Sequence, residues 1–383
     1  MLVEWLAAFS LAAWLWVLLF TSGSWRTRER IEPAPSGSER RAETDLGRVS
    51  VLIPARNEAA AIGSTLSSLA AQGSDLEVIV IDDQSDDATA ATAMETVAAL
   101  GEPFRFRVVA GGPLPAGWGG KLWALEQGLQ TTERDYCLLL DAEILLEPGL
   151  LAALLDRAES RDLAIVSVMA KLKCETFWEM LLVPPFIFFF KLLYPFARVN
   201  DARRKTAAAA GGCVLIHKDA LRGIGGFAAI RGALIDDCTL ARRVKRSGRS
   251  VWLGLSESVR SLRAYPDLAE FRRMVVRTAF TQLNYSAAWL ALVVLLMLAV
   301  FAAPVAALVL AAKAWGRLAG LAALAAMSAA FWPTVRFYRL SPAWVPTLPV
   351  AAMLFLAMTI ESALRYWRGV KAQWKGRTYT AGP

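Results

Sequence analysis

Tyr136-Cys137-Leu138-Leu139-Leu140-Asp141-Ala142-Glu143-Ile144 is the stretch on which the fold turns. A short apolar run ends in two carboxylates spaced two residues apart, then becomes apolar again. Continuous apolar residues of this length fit a strand buried on both faces, as at the centre of a parallel sheet. In open α/β sheets ligands bind outside the carboxyl ends of the strands, which is where Asp141 and Glu143 would lie. Oxygen ligands there suit Mg²⁺ or Mn²⁺, which take one or two carboxylates plus the phosphates of a substrate. The plainer alternative makes Asp141 a strand end and Glu143 a solvated turn residue, and the surrounding chain has to choose.

On the N-terminal side the chain alternates strand and helix. Val49–Pro54 reads as a buried strand, Glu58–Gln72 as a helix with Ile62, Leu66 and Leu69 on one face, and Leu76–Ile81 as a second strand ending in Asp82-Asp83. Ala88–Leu100 is a second helix, Phe106–Val109 a third strand, and Gly111–Gly120 a loop rich in glycine. Lys121–Leu129 is the helix that leads into the opening stretch. Such alternation predicts a right-handed α/β sheet, mostly parallel. Further on, Gly211–Ile216 and Val251–Leu255 read as strands. Ile235-Asp236-Asp237 opens a helix with Leu240 and Val244 inward and Arg242, Arg243, Lys245, Arg246 and Arg249 on its basic side.

The ends of the chain are different in kind. Of the 383 residues 56% are hydrophobic, and the mean hydropathy of +0.40 is too high for a purely soluble globule. The surplus lies in Leu2–Phe20, in Trp178–Phe196, and in Ala287–Ala312, Leu318–Trp332 and Ala343–Ile360. The division expected is an anchor helix in 1–24, a linker in 25–48, a catalytic domain in 49–285, and membrane helices with a basic tail in 286–383. Pro184, Pro185, Pro195 and Lys191 predict that 178–196 is broken and lies in the membrane interface. Arg26, Arg28 and Arg30 after the first apolar run predict a multi-pass inner-membrane protein whose catalytic domain faces the cytoplasm. If all three C-terminal segments cross, the tail with Arg365, Arg368, Lys371, Lys375 and Arg377 falls outside, against the positive-inside tendency. The net charge of +8 sits beside apolar segments, which fits lipid headgroups. No interleaved basic and aromatic pattern points to nucleic acid. The tryptophans of the terminal helices read as interface anchors.

Three acidic sites recur at strand ends or in the loops that follow: Asp82-Asp83, Asp141 with Glu143, and Asp236-Asp237. On one sheet edge they would make a strongly negative crevice, where a divalent metal is the usual way to hold a diphosphate. Lys121, at a predicted helix N-terminus, adds a positive charge at a natural anion site. The glycine loop matches neither a dinucleotide fingerprint nor a P-loop, because Gly119-Gly120-Lys121 is followed by Leu122. Four scattered cysteines read as buried free thiols. The single histidine, His217, excludes a His-based zinc site and disfavours a Ser-His-Asp triad. Asp86-Asp87 reads as a solvated turn.

These motifs resemble family 2 glycosyltransferases of the GT-A fold. Val51-Leu52-Ile53-Pro54-Ala55-Arg56-Asn57-Glu58 and Val80-Ile81-Asp82-Asp83-Gln84-Ser85-Asp86-Asp87-Ala88-Thr89 look like the family's opening. Asp141-Ala142-Glu143 stands where the family has Asp-x-Asp, and Asp236-Asp237-Cys238-Thr239-Leu240-Ala241-Arg242-Arg243 where it has Glu-Asp-x-x-Leu-x-x-Arg. The resemblance covers about Val49–Arg277. Gly117-Trp118-Gly119-Gly120-Lys121-Leu122-Trp123-Ala124 is similar to the hopene-associated HpnB-type branch. Trp374-Lys375-Gly376-Arg377 with Tyr379 is similar to ceramide-glucosyltransferase-like relatives.

The resemblance implies a GT-A catalytic domain with transmembrane helices at both ends. It implies transfer of a single sugar, with inversion, from a nucleotide-diphosphate sugar (UDP being the commonest) to a membrane lipid such as a hopanoid. Pro54, Arg56 and Glu58 would line the nucleotide pocket, Asp83 would bind base or ribose, and Lys121 and Arg277 would meet the diphosphate. Asp141 and Glu143 would hold Mg²⁺ or Mn²⁺. Asp237, beside Asp236, would be the base that deprotonates the acceptor hydroxyl, a role the chemistry also asks for in a chain with one histidine. Two features depart from the pattern: Glu143 replaces an Asp, and Arg277-Thr278 replaces an Arg-Trp pair, which disfavours processive synthesis. A polyprenyl-phosphate sugar synthase and a non-catalytic lipid-binding scaffold are the competing readings.

Overall fold

Val49–Ala55 (β1) is buried along its whole length and forms the axis of a computed structural model describing residues 1–34, 44–73, 75–370, 373–374 and 377–378. Residues 35–43 of the expected linker, and Lys371, Lys375 and Tyr379 of the tail, lie outside the described residues. The other strands are Glu77–Asp82 (β2), Arg105–Ala110 (β3), Tyr136–Leu140 (β4), Ile144–Leu146 (β5), Leu163–Lys171 (β6), Cys213–His217 (β7) and Ser250–Ser261 (β8). They form one sheet in the order β3-β2-β1-β4-β7-β6-β8-β5. β1 is parallel to β2 and β4, and β2 to β3, as the alternation predicts. β7 runs antiparallel to both β4 and β6, and β5 antiparallel to β8.

Continuous apolar runs account for the centre. Val51, Leu52, Ile53, Val78, Ile79, Val80, Ile81 and Leu138 are all fully buried, each side chain worth roughly 1.5–3 kcal/mol of burial. Proline is tolerated in this central strand because β4 pairs only with Val49–Leu52. Pro54 lies past that register, where β1 has β2 alone beside it. Helices Ala59–Ala70, Thr89–Ala99 and Gly120–Leu129 make the crossovers. Helix Leu150–Ser160 and strand β6 add to the elements expected from the sequence. None of the four cysteines is in a disulfide; Cys174 is half-buried and the other three are buried.

The chain forms two compact units. One holds the sheet: Glu29–Leu172, Arg198–Arg263 and the C-terminal segment with Arg377. The other gathers Met1–Arg28, Lys173–Ala197 and the chain from Ala264 through the last apolar helix. Among the described residues, the second unit has four helices long and apolar enough to cross a membrane, Leu2–Phe20, Ala287–Leu310, Ala314–Phe337 and Pro342–Trp367. Helix Leu268–Gln282 belongs to it, because Phe271, Val275, Val276 and Phe280 turn inward and Phe271 meets Phe355 at 5.8 Å between ring centres.

Of the prolines expected to break 178–196, Pro184 and Pro185 do not, while the helix ends just before Pro195. One helix, Phe177–Leu193, runs through Pro184 and Pro185 and is started by a capping box between Thr176 and Glu179. Its Phe188 is fully buried, stacked on Trp14 and edge-on to Phe331, and this packing offsets the backbone hydrogen bonds that proline removes. Lys191, also buried, donates to the Arg26 carbonyl. Trp14 is therefore a core residue of its unit and not an interface anchor.

Candidate active site at the carboxyl edge of the sheet

β4 ends at Leu140 and delivers Asp141 to the edge, where its N–H donates to the Gly212 carbonyl at 3.0 Å. Lys121, in the first turn of helix Gly120–Leu129, reaches the same point. Its Nζ lies 2.6 Å from Asp141 Oδ1 and donates to the Gly211 carbonyl at 3.1 Å. The Gly211 N–H in turn donates to Asp237 Oδ2 at 2.8 Å, and the Cys238 N–H to Asp237 Oδ1 at 2.6 Å. Asp236 and Asp237 both lie in the first turn of helix Asp236–Arg246, which favours their negative charge. One backbone segment, Gly211-Gly212, thus ties together the lysine and two of the predicted acidic positions. The backbone passes close by these side chains: a β-carbon on Gly211 would stand 3.2 Å from Asp237 Oδ2, and one on Gly212 3.3 Å from Ile144, so any larger residue would press on the site.

The electrostatics follow from this packing. Burial opposes the Lys121 charge, but Asp141, Asp236 and Asp237 together hold the ammonium protonated well above the ordinary lysine range. Burial and the neighbouring Asp236 carboxylate push Asp237 up to about 6, against the two backbone N–H groups and Lys121. A carboxylate poised there is ionised at neutral pH and still basic enough to take a proton.

Glu143 stands beyond Asp141, 3.8 Å from Arg263 Nη1, and its carbonyl accepts the Leu262 N–H. Among the described residues no three Asp, Glu, His or Cys side chains converge as a metal cage. Asp141 keeps about a third of its side chain (35%) exposed. One such carboxylate, with a second on a longer arm, fits a hard divalent ion that completes its shell from phosphate oxygens.

The nucleotide-side residues cluster at the ends of β1 and β2. The buried Asp83 donates its backbone N–H to the Ala55 carbonyl at 2.8 Å. Arg56 Nη1 donates to the carbonyls of Asp83 and Gln84, each at 2.6 Å. Burial pushes the Asp83 carboxyl up to about 6, against the pull of Arg377 and Arg56. Pro54 lies in β1 next to Ile81 of β2, and Glu58 is the N-cap residue of helix Ala59–Ala70, its N–H donating to Thr89. Asp87 accepts from the N–H groups of Ala59 and Thr89, so this member of the excluded Asp86-Asp87 pair stabilises a turn.

Arg277 is the predicted site residue that does not belong to the sheet unit. It is exposed on helix Leu268–Gln282 of the other unit. The participants that sequence reasoning missed are the Gly211-Gly212 backbone, signalled by the run of small residues from Ala207, and Arg377. Arg377 Nη2 pairs with Asp83 Oδ1 at 2.8 Å. A cleft of about 480 Å³ lined by Ala228–Ala233 and Thr239 adjoins the helix of Asp237. The Gly119 N–H donates to the Arg231 carbonyl at 2.7 Å and ties the glycine loop to the wall of that cleft.

With this geometry in place, the family model described as "Glycosyltransferase like family 2" matches residues 47–281. The chain belongs to that family. The match runs from the start of β1 through all three acidic sites, and the sheet is the GT-A-like α/β architecture that the sequence motifs imply. Among solved structures, this glycosyltransferase is similar to the mannosyltransferase PcManGT from Pyrobaculum calidifontis in complex with GDP-Man and Mn²⁺. Identity there is 18%, with 95% of this chain and 99% of that one covered and a TM-score of 0.54. It is also similar to glucosyl-3-phosphoglycerate synthase from Mycobacterium tuberculosis in complex with Mn²⁺ and UDP-glucose. That similarity has 19% identity, 67% and 86% coverage and a TM-score of 0.41. No curated protein matches the chain.

Proposed function

We propose that the protein is a membrane-bound, metal-dependent, inverting glycosyltransferase that moves one sugar from a nucleotide-diphosphate sugar to a hydroxyl of a membrane lipid. The observation that carries this reading is the linked set on one sheet edge: Lys121 Nζ on Asp141 Oδ1 and on the Gly211 carbonyl, and the Gly211 N–H on Asp237. It joins a cation, a metal-ligand type and a base within a few bonds of one another.

Asp237 accepts the proton of the acceptor hydroxyl. Each of its oxygens keeps a free lone pair beyond the backbone bond it already accepts. The acceptor oxygen forms its bond to the anomeric carbon as the bond from that carbon to the diphosphate breaks. The electron pair leaves with the nucleoside diphosphate, and the single displacement inverts the configuration. Lys121, held protonated, offers charge where the leaving oxygen becomes negative. Mg²⁺ or Mn²⁺ held by Asp141, with Glu143 as the longer arm, would neutralise the diphosphate as a Lewis acid. Asp83, Arg56, Glu58 and Pro54 serve the nucleoside end, and a UDP-sugar is the leading donor.

Four candidate spans in the same chain as the transferase sheet support an acceptor that resides in the bilayer. The resemblance to the HpnB-type branch makes a hopanoid the first lipid to try. Arg26, Arg28 and Arg30 support a cytoplasmic sheet at the inner membrane. A poised base favours a hydroxyl acceptor over a polyprenyl phosphate, which needs none, and argues against an inert scaffold.

The test is nucleotide binding by the purified full chain in detergent, with UDP, GDP and CDP compared with and without Mn²⁺. Metal-dependent binding of one of them is expected, lost in Asp141→Ala, with labelled sugar then passing from that donor into a lipid extract. A folded protein that binds no nucleotide would sink the reading.

A further inference from the structure

Arg377 lies 294 residues from Asp83 and reaches it from a two-residue strand, Arg377–Thr378. Its Nη2 donates to Asp83 Oδ1 at 2.8 Å, to Gln84 Oε1 at 3.0 Å and to the Asp83 carbonyl at 3.4 Å. An arginine and a buried carboxylate usually pair through both prongs of the guanidinium fork. Here only one prong is used. Asp83 Oδ2 is left as a buried acceptor without a partner, and Arg377 Nε as a buried donor without a partner. Leaving such groups unmet is costly, and native structures rarely tolerate it without a reason. Meanwhile Arg56 clamps the Asp83 carbonyl, so the carboxylate is held in place.

An unmet acceptor and an unmet donor on the two members of one ion pair call for a ligand edge of the opposite sense: an N–H next to a carbonyl oxygen. Uracil and thymine present that edge at N3–H with O4 or O2, and guanine presents it at N1–H with O6. Cytosine and adenine present the reverse, an unprotonated ring nitrogen beside an amino group, and would meet both protein groups with the wrong polarity. We propose that Arg377, delivered by the C-terminal segment, is a specificity-determining residue of the donor site that reads, together with Asp83, the N–H/C=O edge of a uracil, thymine or guanine base. This rests on the reading of Asp83 as a nucleotide-binding residue and narrows the donor to UDP-, dTDP- or GDP-sugars.

The experiment measures equilibrium binding of UDP, dTDP, GDP, CDP and ADP, each with Mn²⁺, to the full chain in detergent. Wild type, Arg377→Gln, Arg377→Lys and Asp83→Asn are compared, and melting temperatures confirm that each variant is folded. Wild type is expected to favour at least one of UDP, dTDP and GDP over both CDP and ADP by about tenfold or more. Arg377→Gln should weaken that preferred nucleotide by about tenfold while leaving CDP and ADP where they were. Asp83→Asn, whose amide can donate to a ring nitrogen, should shift preference toward CDP. If Arg377→Gln does not fold, Arg377→Lys, which keeps the charge on Asp83 but lacks Nε, should show the same narrowing. Equal binding of all five by wild type overturns the proposal. So does unchanged or tighter binding in folded Arg377 variants, the latter being the mark of a plug. In those cases a nucleotide-binding transferase still stands, whereas a folded wild type that binds no nucleotide overturns both readings.

Discussion

The two edges of the sheet use the same side-chain types for different ends. At the amino edge, Glu77 accepts from Ser50, from Thr132 at 2.7 Å and from Arg107, and Arg48 bridges Asp135 and Glu159. Lys218 there donates to the Thr132 carbonyl and pairs with Glu133 at 3.2 Å. That edge also has a cleft of about 350 Å³, lined by Arg48, Tyr136, Glu159 and His217 among others, where Arg48 and Glu159 are paired with each other. At the carboxyl edge Lys121 is shared by three carboxylates, Asp141 is partly open, and Asp83 and Arg377 each keep a buried atom without a partner. The lesson is that acidic residues at strand ends do not mark a site by their presence. They mark it where the fold withholds their partners.

The largest expected effect that tests this contrast is in Asp237→Asn. Transfer should fall by about a thousandfold, within the usual range for loss of a positioned base, while nucleotide affinity is unchanged in the same binding assay. Loss of binding with loss of transfer would instead make Asp237 a donor-holding residue. The pH profile sharpens the point. With Asp237 pushed up to about 6, kcat/KM should drop as pH falls through about 6, because the protonated carboxyl is no longer a base. Lys121 pulls that value down, so Lys121→Met should move the acid limb to higher pH as well as slow the reaction.

The amino edge should answer in stability and not in rate. Glu77→Gln is expected to cost about 1–3 kcal/mol in denaturant unfolding of the sheet unit, with transfer by the folded enzyme unaltered. Glu77 is half-buried: burial works against its charge, but Ser50, Thr132 and Arg107 hold its carboxyl below the ordinary range. A depressed carboxylate stabilises the fold above its unfolded pKa, and the contribution is lost as pH falls through the folded value. The smallest effect belongs to His217→Ala. His217 Nδ1 accepts the Asp219 N–H at 3.2 Å and its ring meets Tyr136 edge-on at 4.9 Å. Loss of this cap should cost about 1 kcal/mol, and a change in rate would break the contrast between the edges.

The tail gives the same lesson for topology. Three crossings after the sheet would put Arg377 on the far side of the membrane from Asp83, yet the two form an ion pair. The pair predicts that a cysteine introduced beside each is labelled from the same side of the membrane, as an even number of crossings between them would require.

Sequence by itself determined six of the eight strands of the sheet, β5 and β6 being the exceptions. Continuous apolar runs such as Val78–Ile81 and Leu138–Leu140 have no solvated face, so they belong in the middle of a sheet. It also placed Asp83, Asp141 and Asp237 at element ends, because each interrupts or closes an apolar pattern. The helix through Pro184 and Pro185 escaped that reading, since the energy that holds it comes from Trp14 and Phe331, far away in the chain. The link from Lys121 through Gly211 to Asp237 and the one-pronged grip of Arg377 on Asp83 were decided only by tertiary structure. Local patterning encodes what is buried. Which buried or half-buried charges face one another depends on where the chain returns, and no short window of sequence contains that.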